Sequence, residues 1–207
     1  GGVLAVADPG ATLTWGGVIT GPGPLTKSGP GTLALGNAAN DHAGGTVVTG
    51  GTLLYGNVGP GPITLQGGTF ATTADQQNLA NTLVILGSDN HYRNSKNNTL
   101  TAITGDGALD LDFAAATDTI TIEGDMTGFS GRIAARGNGG LWRFYRFGSP
   151  GSASAAFDLG TNGAVMLTRN GNTTVRLGSL TGDATTKLTG ASSVTGALTT
   201  YEIGGNN

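Results

Sequence analysis

At 207 residues with 37% hydrophobic content, the chain has material for one sizeable core and no composition break to divide it, so residues 1–207 read as one domain. A net charge of −3 supplies no basic field for phosphates, which makes nucleic acid and anionic membrane poor partners. Cysteine is absent and no apolar run is long enough to span a bilayer, excluding disulfides, thiolate chemistry and membrane insertion by a helix. Charged residues are only 11%, so surface polarity has to come mostly from Thr, Asn and Ser. The 39 glycines follow no three-residue period and sit among alternating apolar residues, which leaves turn-dense β structure rather than collagen or a disordered tail. No signal-like segment begins at Gly1, and we expect a piece of a larger secreted protein.

Short runs of β-formers alternate with Gly and Pro from Thr12 to Thr73. They are Leu13-Thr14-Trp15, Leu33-Ala34-Leu35, Thr46-Val47-Val48, Thr52-Leu53-Leu54-Tyr55, Ile63-Thr64-Leu65 and Thr69-Phe70-Ala71. Gly-Pro-Gly-Pro at 21–24 and the Gly-Pro-Gly-Pro at 59–62 suit corners, where proline robs no ladder of a donor. Gly-Thr followed by a large apolar residue recurs at 31–33, 51–53 and 68–70, a spacing of 20 and 17 residues. Units of that size cannot bury an apolar face alone and stack into a solenoid. Leu79–Leu86 reads as a strand or a short helical turn, and the polar stretch Ser88–Asn98 as a protruding loop.

The pattern then restarts. Ile103 to Leu109 parallels Leu25 to Leu33, and Thr127 to Ile133 followed by Gly140-Leu141-Trp142 parallels Asp41 to Val47 followed by Gly51-Thr52-Leu53. The tail from Leu177 continues the same idiom, from which we expect the parent protein to run on.

Leu25-Thr26-Lys27-Ser28-Gly29-Pro30-Gly31-Thr32-Leu33 and Gly44-Gly45-Thr46-Val47-Val48 followed by Gly51-Thr52-Leu53 resemble the autotransporter-associated β-strand repeat. Residues 25–55 match it closely and 103–144 more loosely. The resemblance implies an all-β, right-handed parallel β-helix on the outside of a bacterium, in an adhesin-like passenger or in a secreted polysaccharide-degrading protein. The repeat itself implies no catalytic residue. At about 20 residues per turn and about 4.8 Å per rung, the chain makes roughly ten rungs and a rod of about 45–50 Å.

The candidate chemistry lies in three places. In Leu141-Trp142-Arg143-Phe144-Tyr145-Arg146-Phe147, alternation with Trp142 and Phe144 inward sends Arg143, Tyr145 and Phe147 outward, a ring and guanidinium platform suited to a sugar; the same run also reads as core filling with an arginine laid over it. The stretch 88–98 adds His91, Tyr92 and Arg93 as ligand candidates or as a solvated turn. Asp110 and Asp112 share one strand face about 7 Å apart, a candidate pair for calcium or for glycosidase chemistry, or simply a polar outer face. Trp15 suits an end cap better than a stacking platform. No cofactor is implied beyond that possible calcium.

The leading expectation is therefore a noncatalytic carbohydrate-binding module of a secreted bacterial protein, its partners a neutral polysaccharide such as xylan or glucan and the neighbouring domains of the parent chain. A passenger or adhesin stalk for surface display is the alternative. A β-helical polysaccharide lyase or hydrolase comes third, by analogy of fold alone.

Overall fold

The architecture follows from short strands that turn before they can form a broad sheet, so each coil of backbone contributes only two. The computed structural model describes residues 1–145, 150–169, 171–191 and 195–205. Successive rungs run β1 (Gly2–Ala5) and β2 (Thr12–Trp15), β3 (Leu25–Ser28) and β4 (Thr32–Leu35), β5 (Thr46–Val48) and β6 (Thr52–Leu54), β7 (Ile63–Leu65) and β8 (Thr69–Ala71), then β9 (Asn78–Ile85) and β10 (Asn90–Asn94). The later rungs are β11 (Asn97–Gly105) and β12 (Ala108–Phe113), β13 (Thr119–Ile122) and β14 (Arg132–Gly137), β15 (Leu141–Tyr145) and β16 (Gly151–Asp158), β17 (Val165–Arg169) and β18 (Thr173–Thr181), β19 (Lys187–Ala191) and β20 (Thr199–Ile203).

All odd strands form one ten-stranded sheet and all even strands another, each strand pairing in parallel with the strand two places along the chain. Ten strands per sheet make nine turns from first to last, the parallel β-solenoid expected from the repeat spacing. Residues one turn apart lie in register, save for shifts within the β9–β11, β16–β18 and β17–β19 pairs, so inward side chains stack into columns. Leu33, Leu53, Phe70, Tyr92 and Leu111 form one column in the even sheet. Ile63, Leu83 and Ile103 form another in the odd sheet. All of these are fully buried.

The recurrent Gly-Thr has a packing reason. Gly51 sits at φ +63°, and a Cβ there would lie 2.3 Å from the Gly31 carbonyl oxygen and 2.4 Å from that of Gly29 in the preceding rung. Only glycine lets corner backbones stack at this separation.

Lys27 occupies an inward position one register step from Val48, and its side chain is fully buried. The ammonium ends at the corner, where it donates to the carbonyls of Ser28 (2.8 Å), Gly29 (2.7 Å) and Gly50 (3.0 Å). Three donors meet three acceptors, and the positive φ of Gly29 (73°) belongs to the turn that presents them. Burial pulls the lysine pKa below its ordinary value.

Asparagines tie the corners after the even strands. Asn37, Asn57 and Asn138 donate their side-chain amides to the carbonyls of Gly16 (2.9 Å), Gly36 (3.3 Å) and Ala114 (2.6 Å), each in the previous turn. The Gly36-Asn37 and Gly56-Asn57 dipeptides, 20 residues apart, carried this signal in the sequence.

Two sequence expectations are corrected. Residues 88–98 are no protruding loop: β10 lies within them, between β8 and β12 of the even sheet. Asn90, Tyr92 and Asn94 point inward. The asparagines are accommodated because they bond corner backbone, Asn90 accepting from the Gly67 N–H (2.8 Å) and donating to the Leu86 and Ala108 carbonyls (3.1 and 3.0 Å). The second correction concerns the later copy. Trp142 and Phe144 point inward as alternation requires, but β15 belongs to the odd sheet, whereas Leu53 lies in the even sheet. Trp142 stands in register with Ile120 and Met166 instead.

Candidate functional site

The chemically diverse part of the surface is the outer face of the even sheet. One outward column begins as Thr12, Thr32, Thr52 and Thr69, then changes to His91, Asp110, Ala134, Asp158 and Thr181. Arg132 and Arg136 lie on β14 between the strands that carry Asp110 and Asp158, so each arginine reaches an aspartate on both sides. Arg132 is 3.4 Å from Asp110 and 2.8 Å from Asp158, and Arg136 is 3.6 Å and 3.1 Å from the same two. His91 Nδ1 lies 2.9 Å from Asp112, with Asp89 3.5 Å from its Nε2.

Asp158 also accepts from the Gly160 N–H (2.9 Å) and the Thr181 hydroxyl (3.1 Å). Partial burial acts to raise its pKa, but the Gly160 amide, the Arg136 guanidinium and Thr181 outweigh it and hold the carboxyl below its ordinary value. An open cleft of about 450 Å³ lies beside this group, lined by Arg136, Asp158, Asn162, Thr181 and Asp183. The arginines remain a third or more exposed, so each pair contributes on the order of 0–1 kcal/mol and the lattice shapes the surface more than it stabilises the fold.

The residues singled out in the sequence are scattered across this frame. His91, Arg93, Asp110 and Asp112 do share the outer face of the even sheet. Tyr92 does not: it is fully buried between Phe70 and Leu111, its ring stacked on Phe70 at 5.9 Å. It cannot meet a ligand. Arg143 lies on the odd sheet, apart from His91 and Arg93, half-buried, with its Nε lacking a hydrogen-bond partner. Burial, then the like charge of Arg169, lowers its pKa. The Tyr145 side chain and Phe147 lie outside the described residues. Asp110 faces two guanidiniums and Asp112 an imidazole, arrangements that compete with a cation. Among the described residues no group of three His, Cys, Asp or Glu is placed to hold a metal ion. Trp15 stands in register with Leu35 on the first rung.

The Tyr92 hydroxyl is buried without a hydrogen-bond partner, and burial raises its pKa strongly. The Tyr201 pKa is pushed up to about 12, also by burial. Burial disfavours the phenolate, so stability is unaffected by this group below its unfolded value near 10 and falls as pH rises from there through the folded value. Tyr92→Phe should therefore leave stability at neutral pH unchanged or raise it by about 1 kcal/mol, and should blunt the loss above pH 10. Urea melts of both proteins at neutral and alkaline pH check this.

The family Passenger-associated-transport-repeat matches residues 25–54, which span β3 to β6. The likeness to that repeat lies in these two rungs. The adhesin BmaC autotransporter of Brucella suis biovar 1 (strain 1330) is 33% identical over 140 residues. That stretch is 66% of this chain and 4% of the relative, so the chain spans a small part of the curated relative it matches. No solved structure matches it.

These findings overturn the leading expectation. A passenger repeat and an autotransporter adhesin, rather than a polysaccharide-degrading protein, are what the chain is similar to, and nothing supports xylan or another polysaccharide as its partner. Both likenesses agree with the sequence expectation of a module on the outside of a bacterium.

Proposed function

We propose that residues 1–207 form one stalk module of an autotransporter-type surface adhesin, holding more distal parts of a longer passenger away from the cell and working by reach and stiffness. The observation that supports this best is that the rung geometry of the repeat at 25–54 is continued by parallel pairing of every later strand, with one apolar core running along the stack. Each rung contacts chiefly its two neighbours, so length is added by adding rungs, with no change of cross-section. Its partners on this reading are the neighbouring parts of its own passenger.

A display experiment tests the proposal. With the module inserted between a membrane anchor and a fluorescent tag, ten rungs at about 4.8 Å should move the tag on the order of 45 Å outward, and energy transfer to a dye in the membrane should fall accordingly. Transfer equal to that of the tag on the anchor alone would overturn the stalk reading.

A further inference from the structure

Asn162 repeats the corner bond that Asn37, Asn57 and Asn138 make, donating its side-chain amide to the Gly137 carbonyl of the previous turn. Asn37 is followed by alanine and Asn57 by valine, whereas Asn138 and Asn162 are each followed by glycine. A glycine nitrogen has no adjacent side chain to block its approach to the asparagine Cγ. The two Asn-Gly corners stack on successive turns, one between β14 and β15 and the other between β16 and β17. A Cβ on Gly139 would lie 2.1 Å from the Asn162 carbonyl oxygen. The corners match closely, with both asparagines exposed and the glycines at φ 75° and 74°. They differ in the glycine amide. Gly163 donates its N–H to the Thr185 hydroxyl oxygen (3.1 Å), which is held in place by its own bond to the Asp183 carboxylate (2.6 Å). Among the described residues the Gly139 N–H has no acceptor.

We propose that Asn138 is a self-modification site, deamidated by attack of its own backbone, and that Thr185 protects Asn162 from the same reaction. The Gly139 nitrogen bonds to Asn138 Cγ and the Cγ–Nδ2 bond breaks; the proton lost from the glycine nitrogen leaves with Nδ2 as ammonia, closing a cyclic succinimide. Water then opens the ring. Addition at Cγ breaks the new bond and gives aspartate, while addition at the main-chain carbonyl breaks the original peptide bond and gives isoaspartate. The net change is amide and water to carboxylic acid and ammonia. A bonded N–H must leave its acceptor before the nitrogen can turn toward Cγ, which slows Asn162 by one hydrogen bond, on the order of tenfold. Gly139 is buried and Gly163 half-buried, so a rate set by solvent access alone would run the other way. Either product at 138 removes the amide donor to Ala114 and adds a charge to the corner, and isoaspartate also lengthens the main chain just before a glycine packed on the next turn.

Ageing the folded chain in mildly alkaline buffer, followed by tryptic mapping and mass spectrometry, tests this. Cleavage after Arg136, Arg143, Arg146 and Arg169 leaves Asn138 in peptide 137–143 and Asn162 in peptide 147–169, each with no other asparagine. The mass gain of amide-to-acid conversion should grow in 137–143 on the order of tenfold faster than in 147–169, and isoaspartate methyltransferase should label 137–143. In Thr185→Val, Asn162 should convert at the rate of Asn138, and Thr185→Ser, which keeps the hydroxyl, should restore the difference. Circular dichroism matching the wild type establishes that both variants are folded. In urea the two wild-type peptides should convert alike. Peptide 137–143 unconverted in the aged folded chain, or Asn162 converting as fast as Asn138 there, would overturn the inference. So would an Asn162 still protected in Thr185→Val, a serine variant that behaves as the valine one does, or a difference that persists in urea.

Discussion

Trp142→Ala should lower the unfolding free energy by about 3–5 kcal/mol, read from chemical denaturation. Trp142 is fully buried, and its ring centroid lies 5.9 Å from that of Phe144 and 5.5 Å from that of Phe157, while Phe144 and Phe157 meet edge to face at 71°. These rings join the two sheets across the interior, since Phe144 is on β15 and Phe157 on β16. Alanine would open a void that neighbouring turns, fixed by their own ladders, cannot collapse to fill. The buried indole N–H has no hydrogen-bond partner, so its removal returns a small part of the loss. The damage should also be local. In a stack of rungs stability is close to a sum of nearest-neighbour terms, so hydrogen exchange should rise in β13 to β17 while β3 to β6 keep their protection. Uniform acceleration along the chain would contradict this.

Lys27→Met should have a similar effect, about 3–5 kcal/mol, at the other end of the molecule. Methionine fills much of the same volume and contributes no donor, which leaves the Ser28, Gly29 and Gly50 carbonyls without the ammonium they now share. Each carbonyl buried without its partner costs about 1–3 kcal/mol, and the Ser28 oxygen, which also accepts from the Val6 N–H, falls at the low end. The expected exchange pattern is the mirror image, with β3 to β6 opened and β13 to β17 unaffected. A methionine variant as stable as the wild-type chain would show that the lysine cage is dispensable. Lysine at this place in the passenger repeat then has a structural reading: it lets a charged residue sit within an apolar column, between Leu4 and Val48, by donating to three corner carbonyls.

Much of the coil was legible because its strongest determinants are local. Gly-Pro corners, Gly-Thr starts and alternating apolar residues each act within a few positions, and the first three rungs after Trp15 follow them. What was hidden depends on partners a full turn away. Asn90, Tyr92 and Asn94 read as polar loop because asparagine looks exposed by composition, and only the carbonyls of neighbouring corners make it an interior residue. Trp142 and Phe144 were placed on the correct side of their strand but in the wrong sheet, since alternation fixes the face and carries no information about which sheet a strand joins. The charged lattice was visible only as single residues. Asp110 and Asp112 share a face as expected, but Arg132, Arg136 and Asp158 come from later turns, and register alone assembles them. A sugar platform on Arg143, Tyr145 and Phe147 rested on residue types that suit sugars equally well as core and surface.

The claim that the chain is one stiff rod is tested most directly by distances between spin labels. The sequence contains no cysteine, so paired cysteines are unique labelling sites. Thr12 and Thr181 occupy the same outward column eight register steps apart, and Thr12 and His91 are four steps apart. At about 4.8 Å per step the backbone separations are about 38 Å and about 19 Å. With labelled protein diluted into unlabelled chain, Thr12→Cys/Thr181→Cys should give one narrow distribution centred at twice the distance of Thr12→Cys/His91→Cys. A broad distribution, or a long pair no further apart than the short one, would contradict the rod and with it the stalk.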